Sequence, residues 1–282
     1  MPRRKHAAPL AGLIATLIAI VVAAILAWPH PVEPPGTLRV ASWNLRKFTG
    51  ERRGVDYARI RSIIEENGFH VIAVQELFGD EDGLDRLSEE LGGDWRGVTS
   101  ARSGETGERL GFLYDARRVE LLDRGFVVGG GDFLRRPYVA RFRSGGFDFS
   151  LVNVHLPSDD ADRRRDEAGR LAALVDRAVL PVGTGERDVI VLGDFNTTRR
   201  YDNSVTPFAS RGWVVSIDEP TNLGDGDVLD NVLWDAAFTG EALGRSGVVR
   251  FDDGGNDARL RESISDHRPV WSDFDTTGED DD

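Results

Sequence analysis

Six short runs set carboxylates, amides or imidazoles directly beside apolar stretches. They are Trp43-Asn44, Gln75-Glu76, Val154-His155, Gly193-Asp194-Phe195-Asn196, Asp230-Asn231 and Ser265-Asp266-His267. Taken singly, an Asp or Asn after a strand starts an Asx turn, and one His is an ordinary core or surface residue. Glu76 is harder to place that way. A carboxylate that follows four apolar residues and a Gln must be paired, protonated or metal-bound if it is buried. Together the runs supply Glu76, Asp194, Asp230, Asp266, His155 and His267, and the chemistry they fit is hydrolysis of a phosphate ester. Oxygen donors suit hard Mg²⁺, Mn²⁺ or Ca²⁺. Such a metal neutralises phosphate charge and the developing oxyanion. Two imidazoles can divide acid and base work near neutral pH. The chain has no cysteine, which excludes a thiolate zinc site, a cysteine nucleophile and a disulfide framework.

The elements that must hold these residues alternate along the chain. Leu38–Trp43 alternates as a strand. Asp56–Asn67 carries Tyr57, Ile60, Ile63 and Ile64 on one helical face, and Gly68 stops it. Val71–Val74 is all apolar, as a strand buried on both faces would be. Leu84, Leu87 and Leu91 mark a short helix. Strand-like runs follow at 110–114, 119–122, 138–142 and 147–154, then a helix over 162–179. Further strands are expected at 189–192, 213–217, 228–234 and 269–274. Many strands and few long helices predict an α/β (α+β) fold with sheets packed face to face and helices outside. No repeat or Pro/Gly-rich break interrupts residues 37–275, which are expected to form one domain.

The 282 residues carry a formal charge of −13 and a pI near 4.9. That balance argues against a protein that holds nucleic acid by neutralising many phosphates. A polyanionic substrate would need metal ions to help and would be bound transiently. At the N-terminus, Arg3, Arg4 and Lys5 precede an uncharged run from Ala7 to Trp28. As a helix this run is about 33 Å long, the thickness of a bilayer core. Residues 1–28 therefore read as a signal anchor or signal peptide with its basic flank inside and the rest exported. Residues 29–36, with four prolines, read as a stiff spacer. Residues 276–282 read as a solvated acidic tail. The expected location is extracytoplasmic, tethered by the N-terminus or secreted, with no obligate protein partner.

The six motifs, in this order across about residues 38–274, resemble the endonuclease/exonuclease/phosphatase superfamily. The resemblance implies a four-layer sandwich of two packed mixed β-sheets flanked by helices, and metal-dependent phosphodiesterase or phosphatase activity. Glu108–Tyr114, Arg135-Arg136-Pro137 and His155 with Pro157-Ser158-Asp159 are similar to the pancreatic-type deoxyribonucleases. That similarity implies roles. Glu76 would hold a metal with Asn44 beside it. Asp194, Asn196 and Asp266 would hold the scissile phosphate and a second metal. His155, oriented by Glu108, would be the general acid. His267, oriented by Asp230, would be the general base. Arg135 would touch phosphate. The family's DNA-binding nucleases carry an Arg and a Tyr where this chain has Phe78 and Thr106. The departure removes minor-groove contacts while leaving the catalytic set intact. A sphingomyelinase-like phosphodiesterase is the alternative within the same chemistry, although the short Gly129–Asp132 run offers no greasy hairpin for lipid. A non-catalytic module on the same fold is the alternative from another class.

Overall fold

The computed structural model describes residues 36–79, 83–102, 106–178, 187–198, 204–224, 226–252 and 258–278. All of them lie in one compact unit. The apolar N-terminal run and most of the spacer and acidic tail fall outside the described residues. Among those described, no helix is long and apolar enough to cross a membrane.

The strands are β1 (Thr37–Phe48), β2 (Val71–Leu77), β3 (Trp95–Thr99), β4 (Arg109–Asp115), β5 (Glu120–Leu121), β6 (Phe126–Val127), β7 (Tyr138–Ser144), β8 (Phe147–His155), β9 (Val189–Asp194), β10 (Trp213–Val215), β11 (Asp230–Asp235), β12 (Ala242–Val248) and β13 (Val270–Asp275). The helices are α1 (Tyr57–Glu66), α2 (Gly83–Leu91), α3 (Ala161–Ala178), α4 (Thr206–Ala209) and α5 (Ala258–Ser263). One sheet has six strands in the order β12-β13-β1-β2-β4-β3. The other has seven, in the order β10-β11-β9-β8-β7-β5 with β6 on β7. Each sheet holds one parallel pair, β1 with β2 and β8 with β9, among antiparallel neighbours.

Side chains alternate between the two faces of a strand, and that alternation builds the layers. Leu38, Val40, Val71, Ala73, Phe149, Leu151, Ile190, Leu192 and Val232 point into a shared layer between the sheets. Their neighbours Ala41, Trp43, Ile72 and Val74 point outward against Ile60, Ile63 and Ile64 of α1 and Leu84 and Leu87 of α2. Val152, Val154 and Val191 point outward beside Ala168, Leu171 and Val175 of α3. The result is helix, sheet, sheet, helix. Asp56 caps α1, its Oδ1 accepting from Arg59 N at 3.0 Å.

At one end the inner faces turn polar while the alternation continues. Leu38-Val40 leads to Ser42 and Asn44, Val71-Ala73 to Gln75, Leu151 to Asn153 and His155, and Ile190-Leu192 to Asp194. Asn153 stitches the sheets together. Its Nδ2 donates to Val74 O at 3.0 Å and Gly111 O at 2.8 Å, and its Oδ1 accepts from Gln75 Nε2 at 2.8 Å. Asn153→Ala strands these buried partners and should cost about 1–3 kcal/mol. Urea denaturation will read that as a lower midpoint with unchanged slope.

Several boundaries differ from the sequence reading. Asn44, Gln75 and Glu76 lie within β1 and β2 rather than after them, because a register shift between Asn44 and Phe48 carries the pairing onward. The strand expected over 228–234 begins at Asp230, which reaches the same end because β11 runs antiparallel to β9, with Asp230 opposite Asp194.

Candidate active site

Strand register brings the reactive side chains together. His155 pairs with Asp194 across β8 and β9, Asp230 with Asp194 across β11 and β9, and Asn44 with Gln75 across β1 and β2. Gly193 permits the close approach of β8 and β9. Its φ is +146°, and a Cβ there would meet Val154 O at 2.0 Å.

Two carboxylate-backed imidazoles converge on one oxygen. His155 Nδ1 lies 2.7 Å from Glu108 Oε1, and its Nε2 lies 3.4 Å from Asp194 Oδ2. His267 Nδ1 lies 2.9 Å from Asp230 Oδ2, and its Nε2 lies 3.8 Å from the same Asp194 oxygen. All five groups are buried. Each inner carboxylate fixes a tautomer and leaves Nε2 facing Asp194. The supports are local. Thr221 Oγ1 accepts from Asp230 N at 3.1 Å, Ser265 Oγ accepts from His267 N at 3.0 Å, and Trp43 Nε1 donates to His267 O at 2.9 Å.

Glu76 sits on the other side of Asn44. Asn44 Nδ2 donates to Glu76 Oε1 at 3.1 Å and to Asp194 Oδ2 at 3.0 Å, while Lys47 N donates to Glu76 Oε2 at 2.8 Å. Among the described residues, four non-glycine residues have positive φ: Arg46, Lys47, Glu76 and Asn196. All border this site, where such strain tends to collect. Asn196 donates its backbone N–H to Asp194 Oδ1 at 2.9 Å and its Nδ2 to Leu156 O at 2.9 Å. Asp266, half-buried, has Arg46 Nε 3.2 Å from its Oδ2.

Two of the expected site residues are already engaged within the protein. Asn44 is held by hydrogen bonds at both ends of its amide. Its Oδ1 is taken by Arg46 N at 2.9 Å, and its amide nitrogen bridges two carboxylates as a donor. Arg135 does not stand in the open toward a phosphate. Its Nε pairs with Glu108 Oε2 at 2.5 Å and its Nη1 reaches Leu156 O at 3.3 Å, so it backs the His155–Glu108 pair. Arg46 and Thr221 were not singled out from sequence. A basic residue two places after Asn44 was the available signal for the first; nothing marked the second. Phe78 is half-buried at the rim, and Thr106 Oγ1 accepts from Glu108 N at 3.3 Å.

Charge sets the protonation states. Burial alone would lower the His155 imidazole, but the Glu108 and Asp194 carboxylates outweigh it and hold His155 above its ordinary value. Burial alone would raise the Glu108 carboxyl. The His155 imidazole and Arg135 reverse this and hold it low. Burial also opposes charge on His267, yet Asp230 and Asp194 push it up to about 10. A His raised on folding adds stability that is fully present below its unfolded value, near 6.5, and fades as pH rises through about 10. Wild type should therefore lose stability across that window more steeply than His267→Gln. Thermal denaturation at stepped pH will show parallel curves if the account of His267 is wrong.

A divalent cation suits the donor set. Glu76, Asp194 and Asp266 offer carboxylate oxygens without sulfur, the chemistry of hard cations. Among the described residues Glu76 Oε1 accepts from the Asn44 amide and Oε2 from Lys47 N, both neutral donors. The Arg46 guanidinium at Asp266 marks a place where positive charge is wanted. Ligand atoms of Asp194, Asp230 and His267 also lie within 4.8 Å of one another. Within this trio Asp230 Oδ2 is bonded to the His267 imidazole, which sets an imidazole–carboxylate pair beside Asp194.

The model of the endonuclease/exonuclease/phosphatase family matches residues 41–267, and the chain belongs to that family. The family is one of phosphoric ester hydrolases, which generally use divalent metals. Endonuclease/exonuclease/phosphatase family domain-containing protein 1 of Xenopus laevis is 30% identical over 193 residues, 58% of this chain and 34% of the relative. Its Homo sapiens counterpart is 30% identical over 191 residues, 56% of this chain and 33% of the relative. The chain thus spans about a third of the curated relatives it matches. A Bacteroides thetaiotaomicron mannosyl-6-phosphatase has a TM-score of 0.61 at 20% identity, covering 83% of this chain and 98% of that one. Humanized D. rerio TDP2 has a TM-score of 0.61 at 18% identity, covering 86% and 100%. ANGEL2, a 2',3'-cyclic phosphatase, has a TM-score of 0.60 at 13% identity, covering 86% and 96%. These structural likenesses share the fold of two packed mixed sheets flanked by helices.

Proposed function

We propose that the chain is a divalent-metal-dependent phosphodiesterase that cleaves nucleic-acid strands internally, in the manner of the pancreatic-type deoxyribonucleases. The observation that carries this reading is the convergence of two carboxylate-backed imidazoles on Asp194 Oδ2. A phosphodiester seated there has an Nε2 on each side, one for the attacking water and one for the leaving oxygen. His267, oriented by Asp230, takes the proton from water. His155, held protonated by Glu108 and Asp194, gives a proton to the leaving oxygen. Asp230 and Glu108 stabilise the two imidazolium states. Mg²⁺ or Mn²⁺, with Ca²⁺ also suited, would be held by Glu76, Asp194 and Asp266, and would neutralise phosphate charge and draw His267 back toward neutral pH. Asn196 and Asn44 fix the carboxylates through the hydrogen bonds described above.

A second reading, a small-molecule phosphoesterase, draws support from Phe78 and Thr106 standing where minor-groove contacts would be. Plasmid DNA, a single-stranded oligonucleotide, p-nitrophenyl phosphate and sphingomyelin, each with Mn²⁺, separate the two. Plasmid nicking is the expected result. Turnover of the monoester or lipid without nicking or strand cleavage would replace it with the second reading. The N-terminal run is proposed to tether the enzyme outside the cytoplasm. The full chain should then stay with membranes through a salt wash, and appearance as a shortened soluble form would show secretion instead.

A further inference from the structure

A groove of about 650 Å³ lies beside the active site, lined by residues 53–58 at the start of α1, by Arg86 of α2, and by Arg259, Glu262 and Ser263 of α5. Three arginines line it, Arg53, Arg86 and Arg259, in a chain whose net charge is −13. Its two carboxylates are already engaged. Asp56 caps α1, and Glu262 Oε1 holds Arg46 Nη1 at 2.9 Å. Arg53 is exposed and, among the described residues, has no hydrogen-bond or ion-pair partner. Arg86 is held in place from two sides. Its guanidinium lies 4.4 Å from the centre of the Tyr57 ring, and its Nη1 donates to Gly50 O at 3.2 Å.

Two ion pairs link a residue of the groove to the carboxylates of the site. Glu262 lines it and grips Arg46, and the same Arg46 reaches Asp266 through Nε at 3.2 Å. Arg52 secures this junction by donating to the Arg46 and Glu262 carbonyls. Arg53 and Arg86, facing a groove whose two acids each hold a structural contact, present a surface for anions.

We propose that this groove binds a phosphate of the same strand whose scissile phosphate lies at Asp194, one or more nucleotides away. The inference rests on the phosphodiesterase reading and extends it: a polyanion with repeated phosphates gains from the groove, and a small ester does not. An acidic protein thereby holds nucleic acid through one local basic track rather than through its overall charge.

Arg53→Glu tests it, because Arg53 is exposed and its loss leaves no buried group unpaired. The readout is the ratio of kcat/KM on a poly-thymidine oligonucleotide to kcat/KM on bis-p-nitrophenyl phosphate, both with Mn²⁺. At low salt the ratio should fall at least about fivefold, and the salt slope for the oligonucleotide should shrink by about one. A second measurement needs no turnover: fluorescence anisotropy of the labelled oligonucleotide in EDTA, where Arg53→Glu should weaken binding by a similar factor. An unchanged ratio with unchanged anisotropy overturns the groove. Weakened binding in a chain that cleaves no phosphodiester keeps the groove and overturns the catalytic reading.

Discussion

His267→Ala is expected to lower kcat on a phosphodiester by at least about 10²-fold, and His155→Ala to do the same, the low end for acid–base catalysis. Both Nε2 atoms face Asp194 Oδ2, at 3.8 and 3.4 Å, and neither ring can turn away without breaking its bond to a buried carboxylate, Asp230 or Glu108. Either substitution leaves one proton transfer without a partner. The pair acts as a unit, so the double variant should cost little more than the worse single one. KM should change far less than kcat. Pre-steady-state and steady-state rates on bis-p-nitrophenyl phosphate decide it: near-normal turnover by either variant removes that histidine from the mechanism.

The second large effect concerns stability. Arg268 follows His267 directly, and its guanidinium pairs with Asp252 at 2.8 and 2.7 Å with both side chains almost wholly buried. Nη1 also donates to Pro220 O at 3.1 Å, and the backbone N–H donates to Thr221 O at 2.6 Å. Arg268→Leu leaves the buried Asp252 carboxylate without this cation. Removing one member of such a pair costs about 3–5 kcal/mol. Replacing both is a different case, since two well-packed apolar residues carry no stranded charge. Arg268→Leu with Asp252→Leu should therefore recover much of the loss. Denaturant midpoints for the single and double variants measure the difference. If the double variant is as unstable as the single one, the buried charge is not the cause.

The centre of the fold was legible because burial on both faces writes long apolar runs. Val71–Val74 and 189–192 are such runs, 147–154 alternates around Phe147, Phe149 and Leu151, and the alternation delivers Gln75, His155 and Asp194 to one end. The edges of the six-stranded sheet were not legible, whereas β5 and β10 at the edges of the other sheet were. β3 and β12 close the two sides of the six-stranded sheet, and β12 is largely open to solvent. A strand bonded on one side needs no apolar run, so neither leaves a pattern. The short helices α4 and α5 bury little and leave none either.

At the site, residue identities were legible and orientations were not. Nothing in the string says that Asn44 turns its amide nitrogen toward Glu76 and Asp194. That follows from the bulge that sets Arg46 N on Asn44 Oδ1 and Lys47 N on Glu76. Arg135 was recognisable as a partner of the site. Its place behind Glu108 depends on the fold, which brings residues 108, 135 and 155 together.

The net charge of −13 takes a different meaning in this light. Asp194, Asp230, Asp266, Glu76 and Glu108 belong to one site, where acids organise two histidines and invite a cation. The account stands or falls on hydrolysis by that site. The most direct measurement is hydrolysis of bis-p-nitrophenyl phosphate by the purified full chain, first in EDTA and then with Mg²⁺ or Mn²⁺ restored. The expected result is turnover that EDTA abolishes and either cation restores, absent from His155→Ala and His267→Ala. Turnover unaffected by EDTA, or none on any phosphodiester with either metal, would contradict it.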